Sequence, residues 1–269
     1  MQPSRYRIDP RTCPSCLRPQ NNLLAQDRAG QSARSAHIRA RKIEREYTRR
    51  LRSVAGQVTD LIRGFDLEDL TITPVIRSAL DRYASTVRPW AESVGRLMVT
   101  EVARRDERSW FAQADRMGRA LRDEIASAPL GEVMRERQAE QVRLITSLPT
   151  EAAQRVGEMT REGIAEGWRA SQIAAEVMKT GEVTKSRADL IARTEVGRTS
   201  TLLTQARAEH VGSEGYKWIT AGDSDVRASH KAMNGKFVRW DSPPTLDGLT
   251  GHAGALPNCR CFCEPVIPD

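Results

Sequence analysis

The chain reads as an α+β protein, with a long helical N-terminal region followed by a compact C-terminal domain of helices plus a small β-sheet. Two observations predict this. Between Ile38 and Ala206, apolar residues recur mostly at three- to five-residue steps, the period of amphipathic helices. From Gly215 onward the pattern changes to short aromatic and β-branched runs bounded by Gly, Pro and Asp, which is how strands are written.

Residues 1–30 are rich in Pro, Arg, Gln and Asn, lack a sustained period, and read as an extended arm. Over 31–63, Ile38, Ile43, Tyr47, Leu51, Val54, Val58 and Leu61 form one apolar stripe, which predicts a long helix. Thr73 and Pro74 suit the cap and first position of the next helix. Its stripe is Val75, Ile76, Leu80, Tyr83, Val87, Trp90, Val94, Leu97 and Met98, and Pro89 should kink or divide it. A further apolar series runs Val102, Trp110, Phe111, Met117, Leu121 and Ile125.

"APLGEV" (128–133) and "SLPT" (147–150) predict breaks, with Thr150 capping a helix that begins at Glu151. Ser171 is the expected cap of a short helix ending near Met178. Residues 184–212 read as one helix stopped by Gly212, and Gly197 inside it signals close packing. Strands are expected at 215–220, 235–240 and 259–267, with a Pro/Gly-rich loop over 241–258. The organisation predicted is an arm (1–30), a basic helical region (31–149) and a C-terminal domain (150–269).

Composition narrows the function classes. The chain is 39% hydrophobic with a mean hydropathy of −0.53, and it has no run of eighteen apolar residues, so no membrane span is expected. "MQPSRYRIDP" lacks an apolar leader core, so no secretory signal is expected either. Five cysteines is an odd number, which favours metal binding or free thiols over a disulfide framework.

The net charge of +7 is unevenly placed: residues 1–150 carry 27 Lys/Arg against 19 Asp/Glu, and residues 151–269 carry 15 against 16. Arg34, Arg39, Arg41, Lys42, Arg45, Arg49, Arg50 and Arg52 stand against only two Glu in the same stretch. Such a stripe suits a polyanion or an acidic protein surface. The plainer reading is a solvated helix face.

Two clusters could carry chemistry. Asp223, Arg227 and His230 come after a candidate strand and could form a buried hydrogen-bonded network or an acid/base site. Cys259, Cys261 and Cys263 alternate, so on a strand they would share one face. Zinc takes four N/S ligands. His230, His252, Cys259 and Cys261 make one sensible set, and Cys13 and Cys16 of "CPSC" with two C-terminal thiols make another. The alternative is thiols packed as small apolar side chains. No GxxxxGK[ST], GxGxxG or HExxH occurs. His230, Asn234 and His252 have the residue order of an HNH nuclease without its ββα context. A metal-dependent hydrolase or nuclease on Asp223, His230 and His252, and a zinc-tethered nucleic-acid adaptor, therefore stay open as alternatives.

Ala192–Glu195 ("ARTE"), Trp218, the Asp223/Arg227/His230 step, Gly235 and "NCRC" (Asn258, Cys259, Arg260, Cys261) occur in one order. In that order they resemble the phage Mu F-like head morphogenesis family, the minor head proteins of tailed phages, over roughly residues 150–265. The resemblance implies a structural virion component, present in few copies inside the head near the portal vertex. It implies association with the portal protein and/or the major capsid protein, with packaged double-stranded DNA as a further partner, and roles in head assembly and genome delivery. It implies no enzymatic activity and no cofactor beyond the zinc alternative. Some relatives carry a fused toxin enzyme, which is not expected here. Asn234 stands where relatives often have Asp, and Cys263 extends the usual Asn-Cys-Arg-Cys.

Overall fold

A computed structural model describes residues 22–114 and 119–267, with side chains described from 40 to 112 and from 123 to 267. Seven long or medium helices come first: α1 (Asn22–Arg63), α2 (Thr73–Thr86), α3 (Arg88–Ala114), α4 (Arg119–Ser127), α5 (Gly131–Ala165), α6 (Ala170–Met178) and α7 (Thr180–His210). Then come β1 (Gly215–Ile219), the short α8 (Ala228–Lys231), β2 (Phe237–Arg239), β3 (Thr245–Leu246), β4 (Leu249–Thr250) and β5 (Phe262–Val266). No described helix is long and apolar enough to cross a membrane.

The helices pack around an aliphatic core to which α1, α3, α5 and α7 all contribute. Leu51, Val54, Val94, Val99, Val102, Ile145, Leu148, Val196 and Leu203 are buried there. A second cluster fills the space between α1, α2, α5 and α6 with Val58, Ile62, Ile76, Leu80, Val156, Ile173 and Val177. Pro89 divides its helix as predicted, because α2 stops at Thr86 and α3 starts at Arg88. Gly212 adopts φ +77 just past α7, where Ser213 N–H reaches Ala208 O at 2.8 Å and Gly212 N–H reaches Glu209 O at 3.0 Å. That is a Schellman stop, and it needs a residue without Cβ strain at positive φ.

The three-stranded antiparallel sheet has the order β2-β1-β5. Tyr216 lies opposite Val238 and Trp218 opposite Cys263. Tyr216 and Trp218 share one face and are fully buried in a third cluster with Val226, Trp240, Ala253, Leu256, Cys259 and Cys261.

Several expectations are corrected. The arm over 1–30 is helical from Asn22 onward, because α1 starts there. The "SLPT" break does not occur: α5 runs through Pro149. Proline removes the donor to Ile145 O, but the hydroxyls of Ser147 and Thr150 bond nearby helix carbonyls, and packing carries the helix across. Thr150 is thus an interior residue, and the expected domain boundary at 149/150 falls inside a helix whose core is shared with α1, α3 and α7.

Thr73 is the first residue of α2, after a 3₁₀ turn capped by Asp69. Ser171 lies inside α6, whose cap is Arg169; Gln172 accepts the Arg169 N–H at 2.9 Å. Val75 and Leu97 belong to the predicted apolar stripes yet face solvent, and Ile62 rather than Leu61 is buried on α1. The 241–258 loop contains a hairpin, β3-β4, turned by Asp247 (φ +53) and Gly248 (φ +78). Asp-Gly suits that turn because both central residues need positive φ. Cys259 and Cys261 precede β5 rather than lying on it.

Candidate functional site

The motif residues converge where α7 meets the β lobe. Glu195 is buried on α7 and ties three helices together. Gln141 of α5 donates to it at 2.9 Å, Arg198 donates at 2.8 Å, and Tyr47 of α1 donates to Gln141 at 2.8 Å. A charge so placed is stable only because its acceptor sites are filled. Immediately before it on α7, Arg193 donates to Asn258 Oδ1 at 2.8 Å, and Thr194 Oγ1 accepts the Asn258 N–H at 3.1 Å. "ARTE" and "NCRC" are therefore two sides of one junction.

Asn258 has φ +59, which turns the chain so that Cys259 and Cys261 point inward. Arg198 also donates to Ala255 O at 3.2 Å, and Thr201 donates to Ala253 O at 2.6 Å. Gly197 makes this approach feasible: a Cβ there would stand 2.6 Å from Gly254 O. The close packing read from Gly197 is thus realised against the loop backbone.

The expected Asp223/Arg227/His230 network does not form as one unit. Asp223 meets Arg41 at 3.0 Å and Arg260 at 3.1 Å, which joins α1 to the C-terminal segment. Arg227 donates to Pro257 O at 2.9 Å. His230, on α8, turns inward and stands edge-on to Trp218, with ring centroids 5.5 Å apart. Arg227 and His230 leave the short α8 turn toward different partners, and that separates them. Gly235 (φ +79) sends its N–H to Trp218 O at 2.7 Å and so closes the loop back onto β1.

His230, Cys259 and Cys261 do come together, all buried, with their donor atoms within 4.8 Å of one another. His230 Nδ1 is 3.4 Å from Cys259 Sγ and 3.6 Å from Cys261 Sγ. The Gly254 and Cys261 N–H groups both point at Cys259 Sγ, at 3.4 and 3.5 Å. The Cys259 thiol is accordingly held below its ordinary range, first by the Cys261 side chain and then by those two amides and His230. Cys261 is pushed up by the Cys259 side chain and by burial.

His252 leaves the predicted metal set, and Cys263 stands apart from the other two C-terminal thiols. His252 instead meets Tyr216 Oη at 3.2 Å and stands edge-on to Tyr216 and Trp240. Cys263, on β5, donates to Ala253 O at 3.5 Å, and burial raises its pKa. Among the described residues, Asp223, His230 and His252 do not form a metal-holding group, so the hydrolase constellation is not assembled. Cys13 and Cys16 lie outside the described residues.

The basic stripe on α1 is largely internally paired. Arg41 pairs with Asp223, Arg49 and Arg50 with Glu46, and Arg52 with Asp189. Lys42 and Arg45 face solvent, and the side chains of Arg34 and Arg39 lie outside the described residues. Sequence reading missed the buried pair of Asp106 on α3 with Arg207 on α7, 2.9 Å apart, with Thr204 donating to Asp106 at 2.6 Å. Thr204 and Arg207 lie three residues apart on α7, but nothing local points to Asp106, 101 residues away from Arg207.

Residues 154–264 match the family described as Phage Mu protein F like protein. The chain is 32% identical over 128 residues to an uncharacterized protein of Haemophilus influenzae, covering 48% of this chain and 28% of that one. It is 33% identical over 128 residues to the NAD(+)–arginine ADP-ribosyltransferase EFV of Enterococcus faecalis, covering 44% and 26%. It is 31% identical over 167 residues to the minor head protein GP7 of Bacillus phage SPP1, covering 57% and 50%. The matched part spans between about a quarter and half the length of these relatives. No solved structure matches the chain. The motif residues assembled at the α7–β lobe junction, from Glu195 to Cys261, all lie within the segment that matches the Phage Mu protein F like family.

Proposed function

We propose that this protein is a structural minor head protein of a tailed phage, housed inside the capsid by the portal vertex and acting in head morphogenesis. The family match over 154–264, with the similarity to a minor head protein, carries this reading. The site geometry supports it. Glu195 ties helix to helix, and Arg193, Thr194, Arg227 and Asn258 are engaged at the seams between helices and loop, rather than converging on an open pocket.

The helical region built from α1–α5 is the docking element, and the portal protein is its first partner. A protein surface fits better than duplex DNA because Arg41, Arg49, Arg50 and Arg52 already hold acidic partners within the chain. Among the described cations of that stripe, Lys42 and Arg45 then remain to displace counterions from phosphates.

The test is co-expression with the cognate portal and major capsid proteins, followed by cross-linking mass spectrometry of assembled proheads. Cross-links from α1 to the portal are expected. A protein absent from purified proheads and virions would overturn the reading. Retention on duplex DNA that falls steeply with salt would move the partner from portal to genome.

A further inference from the structure

We infer that His230 Nδ1, Cys259 Sγ and Cys261 Sγ hold a zinc ion that locks the β lobe shut. The inference goes beyond the head-protein reading and does not depend on it. Its basis is geometric.

With Zn–S of about 2.3 Å and Zn–N of about 2.0–2.1 Å, tetrahedral angles set the N···S edge near 3.5–3.6 Å. The two observed edges are 3.4 and 3.6 Å. A hydrogen bond explains this less well, because one N–H cannot point along both lines while a metal at the centre satisfies both. Buried thiols packed as apolar side chains do not call for backbone amides. Here Gly254 and Cys261 both aim N–H groups at Cys259 Sγ, the arrangement that stabilises a metal-bound thiolate. The left-handed turns at Gly254 (φ +85) and Asn258 (φ +59) produce that aim. The indole N–H of Trp218 is buried beside Cys261 without a hydrogen bond of good geometry, and it would face a thiolate there.

Three protein donors leave a fourth tetrahedral position for water. The ion would be structural. It would join the α8 turn to the segment after Asn258, two pieces of chain that are 29 residues apart at His230 and Cys259. On binding, each coordinating thiol gives up its proton to solvent, so uptake releases protons.

The experiment is elemental analysis of the full chain purified under reducing conditions, with and without added zinc and an excess of competing chelator. One zinc per chain is expected. His230→Ala, Cys259→Ser and Cys261→Ser should each weaken retention against the chelator at least tenfold. Cys263→Ser and His252→Ala should retain the ion. Because the ligand variants can fail to fold, the wild-type chain is also loaded with cobalt(II). The spectrum expected is that of a tetrahedral site with two thiolate ligands. Well under one zinc per chain after loading, together with no thiolate-to-cobalt band, would overturn the site. Loss of the ion in Cys263→Ser or His252→Ala would overturn the ligand assignment.

Discussion

The helical bundle and the β lobe are built on different terms. Around Leu51, Val94, Ile145 and Leu203 the bundle core is almost wholly aliphatic, drawn from four helices whose stripes need only face inward. Around Trp218 the lobe core is aromatic rings, an imidazole and thiols, closed by strands of five residues or fewer. The bundle spreads its stability over many interchangeable contacts. The lobe concentrates it in specific bonds between α7 and the 251–258 loop. Most motif residues accordingly cluster at that junction, with Glu195 reaching back into the bundle.

The contrast can be broken first where the bundle departs from its own rule. Asp106 and Arg207 are a buried ion pair in an apolar neighbourhood, and desolvation pushes the Asp106 carboxyl above its ordinary range. Asp106→Ala should cost about 3–5 kcal/mol by leaving a buried guanidinium unpaired, read as a shift in the denaturation midpoint. A loss under about 1 kcal/mol would mean that water reaches the pair.

Next comes the junction itself. Gly197→Val places a side chain against Gly254 O and should cost about 1–3 kcal/mol by displacing the loop. Gly56 on α1 has nothing within 4 Å of its Cβ position, so Gly56→Ala should instead stabilise by up to about 1 kcal/mol. Equal outcomes at the two glycines would erase the distinction between bundle and lobe.

A smaller effect is expected at Thr194, whose hydroxyl accepts the Asn258 N–H. Thr194→Val should cost about 0.5–1.5 kcal/mol, and amide exchange at Asn258 should speed up while α3 is unaffected.

The smallest effect concerns pH. Burial holds His252 below its ordinary value of 6.5, so the unfolded chain takes up that proton more readily than the folded one. The stability this contributes is present above pH 6.5 and declines as pH falls from there toward the folded pKa. His252→Gln should flatten that part of the stability-versus-pH curve.

Much of the bundle was legible in the sequence because helical periodicity is a local property. Tyr47, Leu51, Val54 and Val58 recur at helical spacing, and all four are buried. Where the reading failed, the cause was mostly non-local. Pro149 looks like a stop, but tertiary packing carries α5 through it. Val75 and Leu97 lie on apolar stripes, yet both face solvent. The β3-β4 hairpin is the exception: Asp247-Gly248 is a local turn signal, masked by the Pro/Gly-rich run around it.

By itself the sequence determined the α+β order, the strands around Trp218 and Val238, the stop at Gly212, and the family pattern from Ala192 to Cys261. Those rest on spacing within a few residues. Only the tertiary structure decided which polar residues meet. It sent Asp223 to Arg41 and Arg260, took His252 to Tyr216, and brought His230 to Cys259 and Cys261 but not to Cys263. The physical reason is that a side chain's partner depends on where turns of positive φ and close glycine contacts place distant backbone. No local period encodes that placement.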